Sequence, residues 1–166
     1  MTTLTLSGWA QPADALAHLE EDAVVFDYSD YASIDLAIEA LKQVPHTQCV
    51  AWSMGGMVAL QAIAAGAIAP SHLTLIGVSA QFVQTPDYRH AMDPFTYRQF
   101  RDNYANQPSR TKDRFLALIA KGDRDARRVM QSLRHHHDVE NTARWLPWLE
   151  ELGAVVPPPP PLYPPR

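Results

Sequence analysis

The residue best suited to covalent chemistry is Ser53, in the run Ala51-Trp52-Ser53-Met54-Gly55-Gly56. A serine hydroxyl is exposed for attack when it stands on a tight, strained turn between a strand and a helix. Small residues two before and two after it let the strand and the helix approach closely. Ala51 and Gly55 fill those places, with alanine standing where the G-x-S-x-G pattern has its first glycine. The context fits: Thr47 to Trp52 reads as a strand and Met54 to Ala65 as a very apolar helix. The N-terminus of such a helix favours developing negative charge. A tetrahedral oxyanion needs two backbone N–H donors. The Met54 N–H supplies one, and the Trp9 N–H, in the loop after the first strand, is assigned as the second.

These residues need elements to position them. Thr3 to Ser7 reads as a short strand ending at Gly8, and Pro12 to Glu21 as a helix. The run Ala23 to Asp27 is apolar throughout, as expected of a strand buried on both faces. Ser33 to Gln43 reads as a helix with Ser33 as its cap. His72 to Val78 completes a set of four strands. Strands alternating with helices predict an α/β fold with a parallel sheet and right-handed crossovers. Ligands in such sheets bind at the carboxyl ends of the strands. Those ends are Gly8-Trp9, Asp27-Tyr28, Trp52-Ser53 and Val78-Ser79-Ala80.

After residue 80 the strand signal stops. Asp93 to Tyr104, Arg110 to Lys121, Arg124 to His136 and Asn141 to Leu152 all read as helices. The division expected is a core over 1–80, a helical lid over 81–153 and a proline-rich tail over 154–166. The last ten residues contain seven prolines and are expected to be extended polyproline II. A groove-binding partner for that tail is the minor reading beside a plain disordered end.

Charge is divided unevenly along the chain. The formal net charge is −4, yet residues 1–88 hold one basic residue, Lys42, against nine acidic ones. Residues 89–134 hold eleven basic and five acidic residues. Such blocks belong either to solvated helical faces or to a docking surface for an acidic partner. Nucleic acid is not expected, since no nucleic-acid-binding motif accompanies the basic block. The longest apolar stretch, Met57 to Pro70, is shorter than the roughly 20 residues a membrane span needs. The single cysteine, Cys49, and the lack of a secretory leader pattern make a cytoplasmic setting the simplest expectation. No cofactor and no metal site are expected.

The sequence resembles the α/β-hydrolases, and within them the esterases that cleave pimeloyl-ACP methyl ester in biotin biosynthesis. The residues carrying the resemblance are Ser7-Gly8-Trp9, Ala51-Trp52-Ser53-Met54-Gly55-Gly56 and Leu73-Thr74-Leu75-Ile76-Gly77-Val78-Ser79. Arg110, Arg114-Phe115-Leu116-Ala117-Leu118 and Ala126-Arg127 extend it into the lid. The resemblance implies a serine carboxylesterase acting on an acyl chain held by an acyl carrier protein or a related acyl thioester. It implies that Arg110, Arg114 and Arg127, with Arg124 nearby, bind the acidic carrier and its phosphopantetheine arm. The basic block, counted independently, points the same way. Phe82, Phe95, Phe100, Phe115 and Leu116 are candidates to line an acyl channel.

A serine nucleophile also needs a base, and usually an acid to orient that base. In the family these follow the lid on two further strands, acid first and histidine last. The expectation is therefore an α/β-hydrolase sheet truncated before those strands. Among the histidines present, His90 at the start of the lid and His137 in the His135-His136-His137-Asp138 run are the candidate bases. Three readings stay open: an esterase with an unusual or missing base, a catalytically impaired binding module or truncated gene product, and a small-molecule esterase or lactonase.

Overall fold

Four strands lie side by side, all parallel, in the order β2-β1-β3-β4. They are β1 (Thr3–Leu6), β2 (Ala23–Val25), β3 (Gln48–Trp52) and β4 (His72–Ile76). The computed structural model describes residues 1–135 and 141–157. Register brings Leu6 beside Ala51 and Trp52 beside Ile76, so the carboxyl ends of the inner strands lie together. β1 is an inner strand and wholly buried, with Leu4 and Leu6 at 0% exposure. Parallel strands in that position are covered on both faces, and β1 buries its leucines and its threonines alike.

The edge strands behave differently. Ala23 to Asp27 is not the doubly buried strand its apolar run predicts. The strand stops at Val25, which is 40% exposed because β2 lies at the sheet edge. Asp27 leaves the sheet and caps a short 3-10 turn over Tyr28–Asp30, accepting from the Ser29 N–H. β4 forms the other edge, and Leu75 and Ile76 are also partly exposed.

Helices α1 (Ile34–Leu41) and α2 (Met54–Ala64) follow β2 and β3. Ser33 caps α1 as expected, accepting from the Leu36 N–H. Residues 54–59 of α2 are all buried. That buried half has no polar face to keep, and the polar Gln61 comes later, in the less buried half, where it donates to the Val156 carbonyl. The helix expected over Pro12 to Glu21 is instead a 3-10 helix over Ala13–Leu19, anchored by buried Leu16.

Beyond β4, residues 81–92 form a looped segment with bridges Val83–Met92 and Thr85–Tyr88. Four helices follow: α3 (Pro94–Asn106), α4 (Pro108–Ile119), α5 (Ala126–His135) and α6 (Thr142–Ala154). Asp93 caps α3 through the Phe95 and Thr96 N–H groups, and Pro94 occupies the first turn where no N–H is needed. The Tyr97 hydroxyl donates to the Leu149 carbonyl and ties α3 to α6. Trp145, Trp148 and Leu149 of α6 belong to the same apolar cluster as β1 and α2. The expected proline-rich tail lies outside the described residues from 158 onward.

Candidate active site

Ser53 links β3 to α2 with φ 50° and ψ −119°. Among the described non-glycine residues only Ala10 and Ser53 have positive φ. That region costs an L-residue about 1–2 kcal/mol, and surrounding contacts must enforce it. The Ser53 N–H donates to the Ile76 carbonyl at 3.0 Å. The Ser53 carbonyl accepts from Gly56 and Met57, which opens the helix directly behind the serine. Close approach is equally necessary. A methyl group at Gly55 would collide with the Leu6 and Ser7 carbonyl oxygens of β1 and its end. The small residue two after the serine is therefore there so that α2 can lie against β1.

The loop after β1 meets the serine from the other side. A Cβ placed on Gly8 would lie 3.5 Å from the Ser53 Cβ and 3.2 Å from the Gln11 Cγ. The N–H groups of Trp9 and Met54 donate to no carbonyl among the described residues. These two donors, without a carbonyl partner among the described residues, belong to Met54, next to the strained serine, and to Trp9, next to the Gly8 that abuts it. Such an arrangement is chemically suited to covalent attack on a carbonyl and to holding the resulting oxyanion.

The Trp9 ring is 3% exposed and its edge contacts reach across the molecule. It meets Phe100, Tyr104, Phe115 and Trp145 in edge-on arrangements, with Tyr104 nearest at 4.9 Å between centroids. Its indole N–H donates to the Trp145 carbonyl. Phe100 and Phe115 are thus packing partners of Trp9, and Leu116 is fully buried. Phe82 packs edge-on against Tyr97. Phe95 does not line a channel: it is 60% exposed on α3.

Of the two candidate bases, only His90 lies among the described residues. His90 is exposed, and no described side chain hydrogen-bonds the Ser53 hydroxyl. The Gln84 amide holds the Arg89 and Ala91 carbonyls on either side of His90, at 3.1 and 2.9 Å. That brace fixes the backbone while the ring faces solvent. His137 lies outside the described residues. His46 is a structural staple: its ring contacts the Val44 carbonyl through Nδ1 and accepts the Ala69 N–H at Nε2. Among the described residues no three His, Cys, Asp or Glu side chains group to hold a metal ion. No helix of the described residues is long and apolar enough to cross a membrane.

The carboxylates nearest this end of the sheet are otherwise engaged. Arg144 of α6 donates to Ser29 Oγ at 2.7 Å and to Asp27 and Asp30 at 2.8 Å each. This fork joins α6 to the segment after β2. Arg144 is more than a hundred residues from each of these partners, so spacing along the chain held no signal for the fork. The polar residues at the end of β2 were the only hint.

The arginines singled out on α4, on α5 and in the turn between them face outward. Arg110, Arg114, Arg124 and Arg127 are all exposed. Arg110 contacts the Gln107 carbonyl oxygen of its side chain at 3.4 Å. Arg134 of α5 pairs with Asp113 of α4 at 3.0 Å, leaving Arg114 next to that bridge on the exposed side.

The alpha/beta hydrolase family model matches residues 4–166. The biotin biosynthesis bifunctional protein BioHC of Cellvibrio japonicus is 30% identical over 132 residues, covering 75% of this chain and 26% of that protein. The pimeloyl-[acyl-carrier protein] methyl ester esterase of Stenotrophomonas maltophilia is 37% identical over 83 residues, covering 50% of this chain and 32% of that protein. The chain thus spans about a quarter to a third of the length of these curated relatives. A hydrolase from Oleispira antarctica superposes with a TM-score of 0.66 at 14% identity, covering 92% of this chain and 65% of the other. An esterase from Exiguobacterium antarcticum gives the same TM-score at 17% identity, covering 93% and 65%. These two share the fold. The parallel sheet, the strained serine between β3 and α2 and the match along nearly the whole sequence lead to one conclusion: the chain belongs to the alpha/beta hydrolase family.

Proposed function

We propose that the protein is a serine carboxylesterase whose substrate is a methyl ester of an acyl chain carried on an acyl carrier protein, of the pimeloyl type used in biotin biosynthesis. The observation that carries this reading is Ser53 at positive φ at the head of α2, with the Gly8-Trp9 loop against it. In the proposed reaction the Ser53 oxygen attacks the ester carbonyl. The Trp9 and Met54 N–H groups hold the oxyanion, and methanol leaves as the acyl-enzyme forms. Water then releases the acid and restores the serine.

The substrate class rests on the relatives' names and on the exposed arginines Arg110, Arg114, Arg124 and Arg127. A carrier protein is acidic, and its attraction to these arginines would weaken with salt. The proton of Ser53 requires a base. Of the two histidines offered by the sequence, His137 is the one to test first, because the His90 ring faces solvent.

The first experiment is labelling by a fluorophosphonate, read by intact mass. Loss of the adduct in Ser53→Ala is expected, and an unlabelled wild-type chain would sink the esterase reading. A second reading is favoured by the absence of a described base at Ser53: a carrier-binding module without turnover. It predicts carrier binding that survives Ser53→Ala and weakens in Arg114→Ala. A small-molecule esterase or lactonase would instead hydrolyse short esters with no dependence on the arginines.

A further inference from the structure

Gln11 is 4% exposed and stands beside the serine, yet it plays no part in the chemistry above. Its Cγ is the nearest atom to the position a Gly8 Cβ would take, and the Ser53 Cβ is next. Its backbone N–H donates to the Gly8 carbonyl at 3.2 Å and closes the turn Gly8-Trp9-Ala10-Gln11. Its side-chain Nε2 reaches back to the Trp9 carbonyl at 3.4 Å. The same amide leaves Oε1 buried with no hydrogen-bond partner among the described residues.

The turn it closes is strained. Ala10 stands third in it with φ 53°, a conformation that favours glycine. In such a turn the central peptide, here Trp9–Ala10, can face either way. The positive φ at residue 10 belongs to one orientation, and alanine resists it. The Gln11 amide holds the carbonyl of that same peptide. A side chain chosen for packing alone would be apolar here, because a buried unpaired Oε1 costs stability.

We infer that Gln11 is a positioning residue: its side-chain amide pins the Trp9–Ala10 peptide and so holds the Gly8–Gln11 turn in the conformation that sets Gly8 against Ser53. The inference rests on the esterase reading for its catalytic consequence, while the hold on the loop can be measured without it. Gln11 touches neither substrate nor the reacting atoms in this role. It acts through the loop.

Gln11→Met is the informative variant, since it keeps length and apolar volume and deletes both polar atoms. Phosphonylation of Ser53 by a fluorophosphonate is expected to slow about fivefold, the weight of one ordinary hydrogen bond. The urea midpoint should be unchanged or higher, because the orphaned Oε1 has gone. A merely structural role predicts the reverse, lower stability with labelling unaffected in the folded fraction. Adding Ala10→Gly removes the penalty on positive φ and should restore the labelling rate in the double variant. Wild-type labelling in Gln11→Met, or no restoration by Ala10→Gly, overturns the inference. An unlabelled wild type overturns the esterase reading instead. The Ala10 backbone chemical shifts, which report the sign of φ, then decide this one. Movement of Ala10 out of the left-handed region in Gln11→Met supports the hold, and unchanged shifts overturn it.

Discussion

The indole Nε1 of Trp9 donates a 2.9 Å hydrogen bond to the backbone carbonyl of Trp145. One end of this bond lies in the loop that meets Ser53, and the other lies in α6. Trp9 thereby follows the Gly8 that abuts Ser53 and sets its ring among the helices that follow β4. Replacing it by phenylalanine keeps a ring but leaves the Trp145 carbonyl without its donor. We expect Trp9→Phe to cost about 1–3 kcal/mol in urea unfolding. Trp9→Ala, which also empties the space between Phe100, Tyr104 and Phe115, should cost about 3–5 kcal/mol.

Arg144 is the second link between α6 and the sheet. Its side chain is 29% exposed and that of Asp27 31%, so water weakens the pair without removing it. Arg144→Met should lower stability by about 1–2 kcal/mol, short of the roughly 3–5 kcal/mol seen when a fully buried pair loses a partner. Arg144→Lys keeps the charge but not the fork that spans Ser29, Asp27 and Asp30, and should recover only part of the loss. A double-mutant cycle with Asp27→Asn isolates the pair, and additive effects would show that the fork contributes nothing.

Burial pushes the Cys49 thiol up to about 12 from its ordinary 9.0. Tyr28 is raised well above its usual range by burial and then by the Asp27 charge. Both groups are held protonated in the folded chain at pH values where the unfolded chain releases its protons. Stability is therefore full below about pH 9 and falls as pH rises towards 12. The slope is about 1.4 kcal/mol per pH unit for each group while it is ionised only in the unfolded state. Urea midpoints between pH 8 and 11 should fall, and Cys49→Ala should flatten the curve. At neutral pH the thiol should resist iodoacetamide until urea unfolds the chain.

Gly55 lets α2 press against β1. A side chain there meets backbone carbonyls of residues 6 and 7, which cannot swing aside. Gly55→Ala should destabilise by about 1–3 kcal/mol and displace the serine turn. Reduced urea midpoint together with slower Ser53 labelling is the expected pair of results. A wild-type midpoint would mean that α2 has room to move.

Much of the α/β core was legible because its constraints are local. Ser53 announced its turn through Ala51 and Gly55, and the strand and helix on either side followed from continuous apolar runs. Ser33 marked a helix start through its own capping chemistry. The errors came where a residue's neighbours in space differ from its neighbours in sequence. Val24 and Val25 look like a buried strand, and only the sheet order puts them at an edge. Phe95 and Phe115 look alike as lid aromatics, yet one faces solvent and the other packs on Trp9.

The sequence by itself determined the serine's turn, the strand–helix alternation and the basic block after residue 88. Each depends on side-chain type over a few adjacent positions. Tertiary structure alone decided that Arg144 engages Asp27 and Asp30, that the His90 ring stays in solvent, and that Gln11 grips the Trp9–Ala10 peptide beside Ser53. The first two depend on how distant segments meet. The third depends on a turn whose strain is set by backbone angles. Apolar periodicity and residue spacing carry no record of either.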